Sequence, residues 1–185
     1  MPPGENLFIT FRLADSLPRI VLEKLRAEWE VSANPAEEAE QTYAHQKRYF
    51  GRFDALFDKA ATGPLWLQEP LVAVVVKEAL HFHDGKKYLL VCYCVMPNHV
   101  HLVVTLPDHA PPLAQSLQSI KSYTATKANK LLNRTGQFWQ RESYDHIVRD
   151  AEEMKRMISY VLENPVKASL ATDWQLWPHT YWHEP

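Results

Sequence analysis

His99 and His101 stand one residue apart in Val95-Met96-Pro97-Asn98-His99-Val100-His101-Leu102-Val103-Val104, a run otherwise largely apolar and β-branched. Along an extended strand, residues two apart point to the same face of a sheet. The two imidazoles therefore share a face, while Val100 and Leu102 take the other. Side by side, two neutral imidazoles supply half of a divalent-metal site. The same pattern also suits core histidines bonded to the backbone. Position favours the metal, because Leu89 to Val95 and Val100 to Leu106 read as neighbouring strands joined at Met96-Pro97-Asn98. That turn sets His99 at a strand start, near loops where chemistry tends to gather. A second His-x-His, His81-Phe82-His83, precedes the turn Asp84-Gly85 and reads as helix-end or loop histidines.

A second group of residues lies on a late helix. Asp150 caps it, and Met154, Met157, Ile158, Val161 and Leu162 form its apolar stripe. At about 100° per residue, Tyr160 and Asn164 fall one turn apart on the flank of that stripe. Glu153 lies on the same flank two turns earlier. Pro165 disfavours helical geometry at the residue before it, so the helix is expected to end at Asn164. Taken alone, Tyr160 reads as a half-buried packing residue and Asn164 as a C-terminal cap. They gain chemical meaning only if the helix packs beside the two histidines.

The elements that must position these groups follow from hydrophobic period and turn residues. Leu7–Leu13 reads as a first strand. Ser16 and Pro18 start a helix reaching about Glu30, and a polar helix spans Ala36 to Lys59, so residues 14–63 form a helical insertion. Thr62-Gly63-Pro64 closes that insertion. Pro70–Phe82 reads as a buried helix despite its valines. Strands over Lys86–Val95 and His99–Leu106 follow, then a helix over Leu113–Leu132 with Lys121, Lys127 and Lys130 away from its apolar side. Phe138–Val148 reads as a further strand, and residues 171–185 as a tail without a clear element.

At 185 residues, 46% apolar and 23% charged, the chain has the composition of one globular domain of residues 1–185. No apolar run is long enough to span a bilayer, and no signal peptide is evident, so no membrane partner is expected. Cys92 and Cys94 share a strand and cannot easily bridge, which fits a reducing, cytoplasmic setting. A net charge of -2 argues against a generic polyanion binder. Between Pro111 and Leu170, however, nine basic residues face six acidic ones, an excess that permits a nucleic-acid site.

VMPNHVHLVV, GQFWQRESYDHIVRD and YVLENPVKASL, in that order, resemble the single-tyrosine HUH transposases related to the insertion-sequence-200-like enzymes. Within them the motifs are most similar to the REP-associated tyrosine transposases. The resemblance covers Leu65 to about Trp182 together with the first strand, and nothing of it carries to residues 14–63. It implies an α+β fold of ferredoxin-like or RRM-like type: an antiparallel sheet of four or five strands with helices mainly on one face. It implies Mg²⁺ or Mn²⁺ on His99, His101 and Asn164, and Tyr160 as nucleophile. Tyr123 and Tyr144 compete, but Lys127 and Val148 stand four residues after them where an amide is needed. Single-stranded DNA or a DNA hairpin would be cut and rejoined through a 5′-phosphotyrosine, by a monomer in preference to a dimer. Lys121, Lys127, Arg141 and Arg149 are candidate phosphate contacts, and Trp139 and Tyr144 candidate base-stacking residues. The alternatives are a domesticated hairpin-binding module without catalysis and a metal hydrolase, for which Asp108 is the one carboxylate near the histidines in sequence.

Overall fold

The computed structural model describes residues 4–17 and 63–183. The chain divides into two compact units, Met1–Ala14 with Leu65–Pro185, and Asp15–Pro64. The helices expected between Ser16 and Lys59 lie outside the described residues.

In the larger unit, five strands form one antiparallel sheet in the order β4-β1-β3-β2-β5. They are β1 (Asn6–Leu13), β2 (Leu89–Val95), β3 (His99–Thr105), β4 (Trp139–Val148) and β5 (Thr180–Trp182). Three helices accompany them: α1 (Pro70–His83), α2 (Leu113–Leu131) and α3 (Ala151–Lys167). Strand alternation splits the apolar residues cleanly. Leu7, Ile9, Phe11 and Leu13 of β1 join Val100, Leu102 and Val104 of β3 in a core shared with α1 and α2. The opposite face carries Phe8, Thr10, Arg12, His99 and His101, and α3 packs there against β2 and β3. Two of the three helices thus cover one face, and the α+β arrangement matches expectation.

The valine-rich segment is a helix because its buried residues recur at helical spacing. Val72, Ala73, Val76, Ala79, Leu80 and His83 face the core, whereas Leu71 and Val74 are exposed. Pro70 in the first turn costs no hydrogen bond there. Two local expectations are corrected. Residues 171–185 are not a plain tail: a short 3₁₀ turn at Trp174–Leu176 leads into β5, whose Thr180 and Trp182 pair with Cys94 and Cys92. The Val95 amide donates to the His179 carbonyl (2.9 Å), extending the ladder beyond the strand. And α3 does not stop before Pro165 but runs through it to Lys167. Proline removes one donor, so the Val161 carbonyl loses its helical partner. Burial of Val161, Leu162, Asn164 and Pro165 against the sheet offsets that loss.

Candidate active site

The turn before β3 is held on both sides. Its Pro97 and Asn98 carbonyls accept from the Leu67 amide (3.1 Å) and the Leu13 amide (2.8 Å), and the Met96 amide donates to the His99 carbonyl (2.9 Å). These bonds fix where β3 begins, and hence which way His99 points. Both histidines are buried, with their Nε2 atoms 2.9 Å apart and their rings at 75°. Each Nδ1 is engaged on the outer side: His99 donates to Asn98 Oδ1 at 2.6 Å, and His101 meets Thr10 Oγ1 at 2.8 Å. An amide oxygen only accepts, so His99 carries its proton on Nδ1 and offers a lone pair at Nε2. The Thr10 hydroxyl donates or accepts, and so suits either tautomer of His101. Burial pushes the His99 pKa down to about 3. Burial, then the His99 ring and the Lys167 charge, holds His101 well below its ordinary range. The pair is neutral at pH 7, as ligands must be.

One register row crosses the whole sheet at this level: Thr180, Cys94, His101, Thr10 and Tyr144. Phe8, fully buried beside that row, is the shared contact. Its ring stacks on His101 (5.7 Å) and meets Tyr160 (5.9 Å) and Tyr144 (6.4 Å) edge-on. Tyr160 also lies edge-on to His101 at 5.5 Å, so α3 brings the candidate tyrosine against the histidine pair. One turn on, Asn164 is fully buried. Its amide nitrogen reaches the Tyr160 carbonyl at 3.5 Å, and its Oδ1 has no hydrogen-bond partner.

Such an orphaned oxygen, one turn after a tyrosine that meets His101, together with two imidazoles whose nitrogens converge, suits a hard divalent ion. Ligands of an octahedral ion bonded at about 2.1 Å lie about 3 Å apart, close to the observed nitrogen spacing. No group of three or more His, Cys, Asp or Glu residues able to hold a metal occurs among the described residues. Any ion held here would therefore meet only neutral protein ligands. Asp108 lines a separate groove beside the N-terminal half of α2, with Lys121, Arg141 and Asp145.

The remaining candidates separate. Tyr144 is half-buried on the histidine face, its pKa raised by burial and then by Asp145. Trp139 is not available as a stacking surface. It is 5% exposed, packs on Phe11 at 4.9 Å, and donates its indole N–H to Thr124 Oγ1 (2.8 Å). Alternation marks a face but not which face is inward, and Trp139 points to the core. Lys121 donates to the carbonyls of Gln140 (2.9 Å), Arg141 (3.1 Å) and Glu142 (3.3 Å). Those three residues oppose Arg12 alone, a bulge in β4 whose carbonyls the ammonium gathers. Burial pushes the Lys121 pKa down to about 8. Lys127 is exposed on α2, across the sheet from the histidines, over the Tyr123 ring. Arg141 is exposed in the α2 groove, and the Arg149 amide donates to Glu153 Oε2 at 2.9 Å. His81 and His83 close α1, against the Tyr93 hydroxyl and Ser119.

Sequence reasoning passed over three groups around the site. Thr10 and Asn98 hold the outer nitrogens of the imidazoles. Lys167 sets its ammonium 4.5 Å from the centre of the Tyr160 ring. Only Lys167 had a usable signal, the heptad spacing Glu153, Tyr160, Lys167 along one flank of α3.

Among solved structures, the chain is similar to a REP-associated tyrosine transposase bound to a REP hairpin. The TM-score is 0.57 at 14% identity, over 96% of this chain and 76% of that one, which shows a shared fold. A REP-associated tyrosine transposase of Escherichia coli K12 is 28% identical over 91 residues, 49% of this chain and 52% of that protein. A Haemophilus influenzae protein bearing the same transposase name is 26% identical over 102 residues, 50% of this chain and 58% of that protein. The chain thus spans little more than half the length of either relative. No helix among the described residues is long and apolar enough to cross a membrane. Residues 68–164, more than half of the chain, match the family described as transposase, IS200 like, and the chain belongs to that family.

Proposed function

We propose that this chain cleaves and rejoins single-stranded, hairpin-bearing DNA by transesterification at Tyr160. The observation that carries the reading is the Tyr160 ring against His101, with the unpartnered Asn164 oxygen one turn away on the same helix. In the forward step the Tyr160 oxygen bonds to phosphorus and the bond from phosphorus to the 3′ oxygen breaks. The phenol gives up one proton and the leaving 3′ oxygen takes one, so the products are a 5′-phosphotyrosyl link and a 3′-hydroxyl. Reversal needs no external energy source, because the diester bond is exchanged rather than hydrolysed.

His99, His101 and Asn164 would hold Mg²⁺ or Mn²⁺. When bound, the ion supplies polarisation of a non-bridging phosphate oxygen and offsets charge developing on the leaving oxygen. Three neutral ligands leave the balance of charge to the DNA phosphate, so the ion binds weakly until DNA is present. Phe8 keeps the tyrosine and His101 on one apolar platform. Thr10 and Asn98 hold the imidazole rings in place. Tyr144 flanks the site as a base-stacking surface, and Arg141, Arg149 and Lys127 serve the DNA backbone outside it. The protein acts as a monomer in the cytoplasm.

The test is to incubate labelled hairpin-bearing single-stranded DNA with the protein and Mn²⁺ and resolve the products on a denaturing gel. A covalent protein–DNA adduct is expected. Cut DNA without an adduct would indicate hydrolysis, and binding without cutting a domesticated DNA-binding module.

A further inference from the structure

Glu153, Tyr160 and Lys167 stand seven residues apart, so they follow one another along a single flank of α3. A lysine in the last turn of a helix ordinarily answers the terminal carbonyls. Here those carbonyls are already served. The Asn164 carbonyl accepts from Ala168, Pro165 from Leu170 and Ala171, and Val166 from Ser169. The Lys167 ammonium instead lies 4.5 Å from the centre of the Tyr160 ring. Its charge also reaches the His101 ring, where it disfavours the imidazolium. No carboxylate pairs with it among the described residues, whereas Lys155, about three turns earlier, is paired with Glu152 at 3.1 Å. Lys167 and Tyr160 line one shallow, open groove on the outer side of α3 together with Arg156 and Ser159, and the carboxylates of Glu152 and Glu163 border it as well.

A cation placed over a tyrosine, lining the same open groove and close enough for its charge to act on the neutral His101 ring, faces whatever the tyrosine attacks. We propose that Lys167 contacts the substrate directly, its ammonium binding a non-bridging oxygen of the phosphodiester that Tyr160 attacks. This deepens the reading of Tyr160 as nucleophile and rests on it. The diester carries one negative charge, and bond formation by the tyrosine oxygen concentrates more on the same phosphorus oxygens. A preorganised donor at that point therefore strengthens as the reaction proceeds.

The test compares the full chain with Lys167→Met, Lys167→Arg, Tyr160→Phe and, as a surface-charge control on α2, Lys130→Met. Adduct formation is followed in single turnovers with saturating hairpin DNA and Mn²⁺. In metal-free buffer, affinity is measured for the same hairpin with a normal linkage or an uncharged methylphosphonate at the mapped cleavage position. Lys167→Met is expected to slow the adduct by on the order of tenfold or more. Lys167→Arg recovers most of the rate, and Lys130→Met keeps it. Neutralising the linkage weakens binding to the native protein severalfold and leaves Lys167→Met unaffected. An adduct at native rate in Lys167→Met, or an equal methylphosphonate penalty in both proteins, overturns the inference. An adduct in Tyr160→Phe, or none with the native chain, overturns the nucleophile reading instead. Loss in Tyr160→Phe with full rate in Lys167→Met removes the lysine alone.

Discussion

Asn164 keeps a buried carbonyl oxygen without a donor, a condition that costs about 1–3 kcal/mol in a folded protein. Leucine fills nearly the same volume and has no polar group to satisfy. Asn164→Leu should therefore unfold at equal or higher urea concentration than the native chain, while forming far less adduct with Mn²⁺ and hairpin DNA. A clear loss of stability with full activity would assign the amide to the fold alone. The buried histidines carry a pH signature of their own. Their folded pKa values lie below the unfolded value of about 6.5. Between the two values the unfolded chain binds more protons, so stability is complete above about pH 6.5 and falls as pH drops towards 3. Each histidine contributes at most about 1.4 kcal/mol per pH unit in that window. Metal-free protein should show this fall in its melting temperature, and His99→Gln should flatten it. At this scale the sequence was most legible where side-chain period decides the face. His99 and His101 share a face because strands repeat every two residues, but Trp139 shows the limit: its outward or inward sense depends on what packs over the strand.

The helix that carries Tyr160 is tied at its start as well as its end. Asp150 Oδ1 accepts the Glu153 amide at 2.7 Å, and the Glu153 carboxylate answers the Arg149 amide and His146 Nε2 at 3.2 Å. His146 pairs across the sheet with Phe8, the ring on which Tyr160 rests. Removing the buried carboxylate in Glu153→Ala leaves an amide and an imidazole without that partner, so a loss of about 1–3 kcal/mol is expected in urea titration. Glu153→Gln keeps an acceptor for the amide and should lose less. Equal stability of Glu153→Ala and the native chain would show that the tie is incidental. The N-terminal end of this helix was readable in advance, since an aspartate cap before an amphipathic run is a local signal. Its C-terminal end was not. Pro165 disfavours the helix locally, and only burial of Val161, Leu162, Asn164 and Pro165 against the sheet reverses that preference. The fifth strand escaped notice for a similar reason: three residues carry no period, and Thr180–Trp182 is a strand because β2 offers it an edge.

At the scale of the whole molecule, the proposed DNA contact must draw on a few exposed cations of a near-neutral chain. Arg141, Arg149, Arg156 and Lys167 are exposed, while Lys121 is drawn to the carbonyls of β4. Affinity for hairpin DNA should fall steeply between about 50 and 200 mM salt if several phosphates are contacted. A flat response would move recognition to stacking surfaces such as Tyr144. The central claim is that Tyr160 forms the covalent bond to DNA. The direct measurement is proteolysis of the adduct made with Mn²⁺ and hairpin DNA, followed by mass spectrometry of the nucleotide-bearing peptide. The account predicts a nucleotide on Tyr160 and its complete absence from Tyr160→Phe, with Tyr123→Phe and Tyr144→Phe still labelled. A nucleotide on any other residue would contradict it.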